Sequence, residues 1–179
     1  MKATGIVRNI DNLGRVVVPK EIRRTMRLRE GDPLEIYTDV DDVVIFKRYS
    51  PVGGISSIAE SYAEALSQST DLSVLITDRD RVIVCVGIPE KEVVGRRVTQ
   101  SMAAVIESSA DFTAEPGGER LHPVDGLDCE AAVACPIIGK DKAAGCVIML
   151  MNETGDMPTQ TDAAITQVAA SFLGRQMAA

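Results

Sequence analysis

Tryptophan is absent from this sequence, and three tyrosines and three phenylalanines bring the aromatic share to only 3% of 179 residues. The core therefore has to be built from Val, Ile, Leu, Ala and Met, which a hydrophobic content of 45% supplies in quantity. Scarce aromatics also argue against binding single-stranded nucleic acid or RNA by base stacking. No apolar run approaches the roughly 18 residues of a membrane span, and MKATGIVRN lacks the apolar centre of a signal peptide. A cytoplasmic chain without membrane contact is expected. The four cysteines, Cys85, Cys129, Cys135 and Cys146, form no C-x-x-C pair, and the single histidine, His122, stands before Pro123. Neither a metal nor another cofactor is expected, and the thiols read as small buried hydrophobes. G-x-S-x-G, H-E-x-x-H and phosphate-loop patterns are missing too, while Asp78, Asp80, Asp125 and Asp128 read as turn residues. The chain is expected not to be an enzyme.

Charge is present but unevenly placed. The chain carries a net charge of -7, yet its first 29 residues hold Lys2, Arg8, Arg15, Lys20, Arg23, Arg24, Arg27 and Arg29 against Asp11 and Glu21. That segment is +6 and the remainder -13. Such asymmetry points to a polyanion partner for the basic end.

The first 50 residues alternate β-type runs with turns. TGIVRNI, the turn DNLG and RVVV lead to a helix expected from Pro19, whose missing N–H suits a first helical position. Ile22 and Met26 give it a narrow apolar stripe. LEIYTD and VVIFKR follow as two further strands. A segment this small does not bury enough to stand comfortably alone, so interleaving with a second copy is expected.

The stretch SPVGG has no periodicity and reads as a break, with one domain over 1–52 and another over 53–179. A helix through Ile58, Tyr62, Ala65 and Leu66 opens the second. SVLITD and RVIVCVG then read as a hairpin, residues 91–109 as one helix, and FTAEPGGER as a mobile loop. EAAVACPII and AAGCVIMLMN form another hairpin, and a final helix from Pro158 carries Ile165, Val168, Ala169, Phe172 and Leu173 on a broad apolar face. The fold class expected is α+β in two domains.

The run IDNLGRVVVPKEIRR, within KATGIVRNIDNLGRVVVPKEIRRTMRLREGDPLEIY, closely resembles the DNA-binding domain of the AbrB family of transition-state regulators. The resemblance implies a swapped-hairpin fold, in which two chains interleave their strands, and contact with double-stranded DNA through Arg8, Arg15, Arg23 and Arg24. Guanidinium groups suit that task because they stay charged and bond phosphate oxygens or guanine edges in bidentate fashion. Lys2 and Lys20 are expected to add phosphate contacts, and Arg27 and Arg29 to be structural or peripheral.

Antitoxins of the MazE type share the swapped hairpin but end in a toxin-binding tail, whereas the second region here reads as folded. A head of this kind joined to a helix, sheet and helix module of GAF type resembles the family of stage V sporulation protein T, SpoVT. That resemblance implies transcriptional regulation of forespore and sporulation genes by a nucleoid-associated homotetramer, a dimer of dimers whose GAF-like modules pair through terminal helices. Two other readings stand beside it: a small-molecule sensor with residues 111–119 as lid of a pocket, its ligand unnamed, and an antitoxin bound to a toxin.

Overall fold

The structure is a computed structural model that describes residues 4–40, 42–140 and 142–178. It divides into two compact units, Met1–Tyr49 and Ser50–Ala179.

In the first unit α1 spans Lys20–Thr25, and β1, Leu34–Asp39, pairs antiparallel with β2, Val43–Arg48. Pro19 is the N-cap of α1 rather than its first helical residue, because its carbonyl already accepts the Arg23 N–H at 3.0 Å. The expected strands over 4–10 and 15–18 do not form. Among the described residues these segments join no ladder, and the backbone–backbone hydrogen bonds between 4 and 18 are those of the turn that links them. None of the described residues of this unit is buried.

The second unit opens with α2, Pro51–Gly54, followed by α3, Ser56–Thr70. The stretch read as a break is thus a short helix. Ser50 caps it by accepting the Gly53 N–H at 3.1 Å, Pro51 starts it, and Val52 is fully buried. Then come β3 (Val74–Asp78), β4 (Val82–Val86), α4 (Glu90–Val93), α5 (Gln100–Ser108), β5 (Phe112–Thr113), β6 (Ala131–Ile138), β7 (Ala143–Leu150) and α6 (Gln160–Ala178).

The sheet is antiparallel throughout, in the order β4-β3-β7-β6-β5. It is covered on both faces. Against the first face, Val74, Ile76, Val133, Ile137, Val147 and Met149 pack on Ala59, Ala63 and Leu66 of α3 and Ala169, Ala170 and Leu173 of α6. Against the second, Leu75, Ala134, Cys146 and Ile148 pack on Met102 and Ile106 of α5 together with Val93, Val98, Leu121 and Val124. This alternation explains why β6 and β7 read as unbroken apolar runs: both sides of each strand are inside.

The single helix expected over 91–109 is two. Val94 turns extended, Gly95 takes φ +82°, and Val98 forms a bridge with Val124. Thr99 then starts α5 by accepting the Met102 N–H at 3.1 Å. The loop FTAEPGGER begins as β5, one of the two edge strands, with Phe112 opposite Ala134. Asp78, expected in the turn, is instead the last residue of β3, and it reaches into the turn with its side chain, Oδ1 accepting the N–H groups of Asp80 and Arg81 at 2.7 Å each.

Candidate nucleic-acid interface

The basic segment is organised around one turn. Asp11 N–H donates to the Arg15 carbonyl at 3.0 Å, and Gly14 N–H to the Asp11 carbonyl at 3.0 Å. Gly14 takes φ +76°, a conformation that glycine enters without steric cost. The Asp11 carboxylate secures the same turn from inside: Oδ1 accepts the N–H groups of Leu13 at 2.9 Å and Arg15 at 2.8 Å, and Oδ2 accepts the Arg15 Nε–H at 2.8 Å. Held first by the Arg15 backbone N–H and then by its guanidinium, the Asp11 carboxyl lies below its ordinary range. The Arg15 side chain remains 70% exposed.

Arg8 lies three residues before this turn and is exposed, its Nη1 donating to the Val7 carbonyl at 3.0 Å. Arg23 and Arg24 occupy the last turn of α1, both exposed, with Glu21 in the first turn. Lys20 precedes them by three and four positions, which puts all three cations along one side of the helix. The chain leaves α1 through Arg27 at φ +54°, and Leu28 N–H returns to the Arg23 carbonyl at 2.8 Å, closing the helix end. Arg29 N–H donates to Asp32 Oδ2 at 2.8 Å. Lys2 lies outside the described residues.

The sequence places Asp11 in the turn DNLG and among the acidic offsets, with no task for its carboxylate. Its signal was the Asp at the head of a turn ending in Gly, the arrangement in which a carboxylate caps nearby backbone N–H groups.

In the second unit a cleft of 660 Å³ opens between residues 114–120 and 150–157, the first set overlapping the expected lid. Glu115, Glu119, Asp128 and Glu153 line it, with Arg120 paired to Glu130 at 2.9 Å. All four thiols are free, and of the four expected to be buried only Cys135 and Cys146 are; Cys85, near the end of its strand, and Cys129, in a loop, keep part of their surface exposed. His122 is exposed, its Nδ1 3.0 Å from the Cys129 carbonyl, and no group of three or more His, Cys, Asp or Glu suited to a metal occurs among the described residues. No helix among the described residues is long and apolar enough to cross a membrane.

Comparison with known proteins adds independent findings. The family described as "Stage V sporulation protein T C-terminal, transcription factor" matches residues 54–178, and "Antidote-toxin recognition MazE, bacterial antitoxin" matches residues 7–53. The chain is 39% identical to Stage V sporulation protein T of Bacillus subtilis (strain 168), over 99% of both chains. It is 59% identical to Transition state regulatory protein AbrB of the same organism over 51 residues, 28% of this chain and 52% of that one. Among solved structures, a GAF domain from an Acinetobacter phosphoenolpyruvate-protein phosphotransferase is similar with a TM-score of 0.57 at 9% identity, covering 69% of this chain and 81% of that one. The likeness concerns the fold of the second unit alone.

Proposed function

This chain belongs to the stage V sporulation protein T family of transcription factors, and we propose from that premise that its first unit binds duplex DNA through Arg8, Arg15, Arg23 and Arg24 on an interleaved dimer. The observation that carries the reading is Arg15, fixed at its base by a hydrogen-bonded turn, with a side chain 70% exposed and a basic helix close behind in sequence. Lys20, beside Arg23 and Arg24 on α1, adds a phosphate contact, as does Lys2.

Interleaving is supported by what the first unit leaves uncovered. Val7, Ile10, Leu13 and Val17 are each more than two-thirds exposed, and none of the described residues of the unit is buried. Segments 4–10 and 15–18 have strand-type sequences and no ladder, so a second copy supplies both the missing hydrogen bonds and the missing apolar cover. Doubling the unit about a two-fold axis also doubles the arginine set. With few aromatics nearby, the dimer reads the shape and flexibility of the duplex more than individual base faces.

The second unit assembles dimers into a tetramer. Val168 and Phe172 of α6 and Ile58 of α3 stay exposed beside the buried face of these helices, and Tyr62 stacks on Phe172 with ring centres 5.1 Å apart. An apolar stripe outside a finished core is a contact surface. The protein then acts in the cytoplasm on the nucleoid as a regulator of sporulation genes. Footprinting of the purified protein on genomic fragments tests this: discrete protected sites, lost in Arg15→Ala and Arg24→Ala, are expected, and no protection at any concentration overturns it.

The cleft beside residues 114–120 favours one further reading, a small-molecule sensor within the same regulator. Native mass spectrometry of the purified protein would find a ligand travelling with it. The antitoxin reading is favoured by the MazE match at residues 7–53 and predicts instead a co-purified partner protein.

A further inference from the structure

The carboxylate of Asp11 does two separable jobs. One oxygen, Oδ1, takes both backbone N–H groups that define the turn, those of Leu13 and Arg15. The other, Oδ2, is spent on the guanidinium, at 2.8 Å from Arg15 Nε. An asparagine could do the first job, since its amide oxygen also accepts. It could not do the second, because its NH₂ would face the Nε–H. The negative charge is therefore required by the arginine and not by the turn.

A fixed negative charge is an odd neighbour for a group that meets phosphate. It weakens attraction to every duplex, whatever its sequence. What it provides is orientation: Nε is engaged, the backbone at 15 is pinned by the same carboxylate, and the side chain stays 70% exposed, so the two terminal nitrogens of Arg15 form a fork anchored at its base. A fork of fixed direction can be bidentate only where the duplex puts its acceptors in matching places.

We infer that Asp11 is the specificity-determining positioning residue of the DNA-binding unit, holding Arg15 so that it engages fitting sites well and random phosphates poorly. This rests on the proposed DNA-binding function. Released from Asp11, Arg15 would follow any nearby phosphate, so general affinity would rise while discrimination fell.

The test uses the full chain and two duplexes of equal length, one selected by the wild-type protein from a random-sequence pool and one of random sequence. Affinities across a salt series are compared for wild type, Asp11→Asn, Arg15→Ala and the double variant. Asp11→Asn should bind the random duplex several-fold more tightly and steepen the salt dependence by about one unit per arginine freed, while the ratio of selected to random affinity falls about tenfold. In the Arg15→Ala background the same change should leave that ratio alone. An unchanged ratio in Asp11→Asn overturns the inference, and so does an equal fall in both backgrounds, which would assign Asp11 to the turn only. Should Asp11→Asn not fold, Arg15→Lys keeps turn, carboxylate and charge but lacks the fork. It must then lose the same discrimination with its salt slope intact, and full discrimination overturns the inference. Wild-type protein that binds neither duplex overturns the function proposed above and this inference with it, whereas the other adverse outcomes remove this inference alone.

Discussion

Gly174 of α6 lies directly against the carbonyl oxygen of Ile138 at the end of β6, so close that a Cβ at position 174 would collide with it. The small residues Ala169, Ala170 and Gly174 let this helix settle onto the sheet, and all three are buried. Alanine is the better helix former by about 1 kcal/mol, so on propensity alone Gly174→Ala should stabilise. The backbone contact reverses the sign, because a carbonyl in a sheet cannot swing aside as a flexible side chain can. A loss of about 1–3 kcal/mol is expected, as for other overpacked cores. Urea unfolding of the second unit followed by circular dichroism measures it, and an unchanged midpoint would mean that α6 slides freely.

Arg15 and Arg24 are assigned to phosphate or base-edge contact, which has a signature in salt. Replacing either by Ala should weaken duplex binding and flatten the slope of log affinity against log salt by about one unit for each phosphate no longer neutralised. Arg29, expected to be structural or peripheral, should change the slope little when replaced. Equal slopes for all three variants would remove the assignment.

Val168 is 59% exposed on α6 and is proposed to meet a second dimer. Val168→Glu places a charge there without touching the core. Light scattering should find dimers in place of tetramers. Affinity for a long duplex with two sites should fall by about 10²-fold or more, while a one-site duplex binds as before. A variant that stays tetrameric would move the interface elsewhere.

The buried thiol of Cys135 and the half-buried thiol of Cys129 predict an alkaline weakness. Burial first, and Asp111 second, push the Cys135 thiol up to about 12, and burial pushes that of Cys129 up to about 11, from an ordinary value of 9.0. Above pH 9 the unfolded chain gives up protons that the folded chain keeps. Stability is therefore complete below pH 9 and falls as pH rises toward 12. Cys135→Ala should lose less melting temperature between pH 8 and about pH 10.5 than the parent does, and an equal loss would show that this thiol is not shielded.

Much of the second unit is legible in its sequence, and the failures share a cause. SVLITD, RVIVCVG, EAAVACPII and AAGCVIMLMN appear as β3, β4, β6 and β7 because their apolar runs are bounded by turns. The helix read across 91–109 fails at Gly95, where a positive φ ends one element before Thr99 caps the next. Residues 4–10 have the composition of a strand and are not one within a single chain, since a strand exists only through the ladder it joins.

Local chemistry was enough for the basic segment: the turn at Asp11–Gly14, the proline before α1 and the crowding of arginines are neighbours in the chain. Asp11 itself is a neighbour of Arg15, yet its second oxygen could not be assigned from order alone, because which acceptor a guanidinium chooses depends on where the backbone aims it. Packing settled the remainder. That both faces of the sheet are covered, that α6 needs Gly174 at Ile138, and that Val168 and Phe172 stay outside follow from distances between segments far apart in sequence. Composition can say that such residues are apolar. Only the approach of one element to another decides which of them lose water.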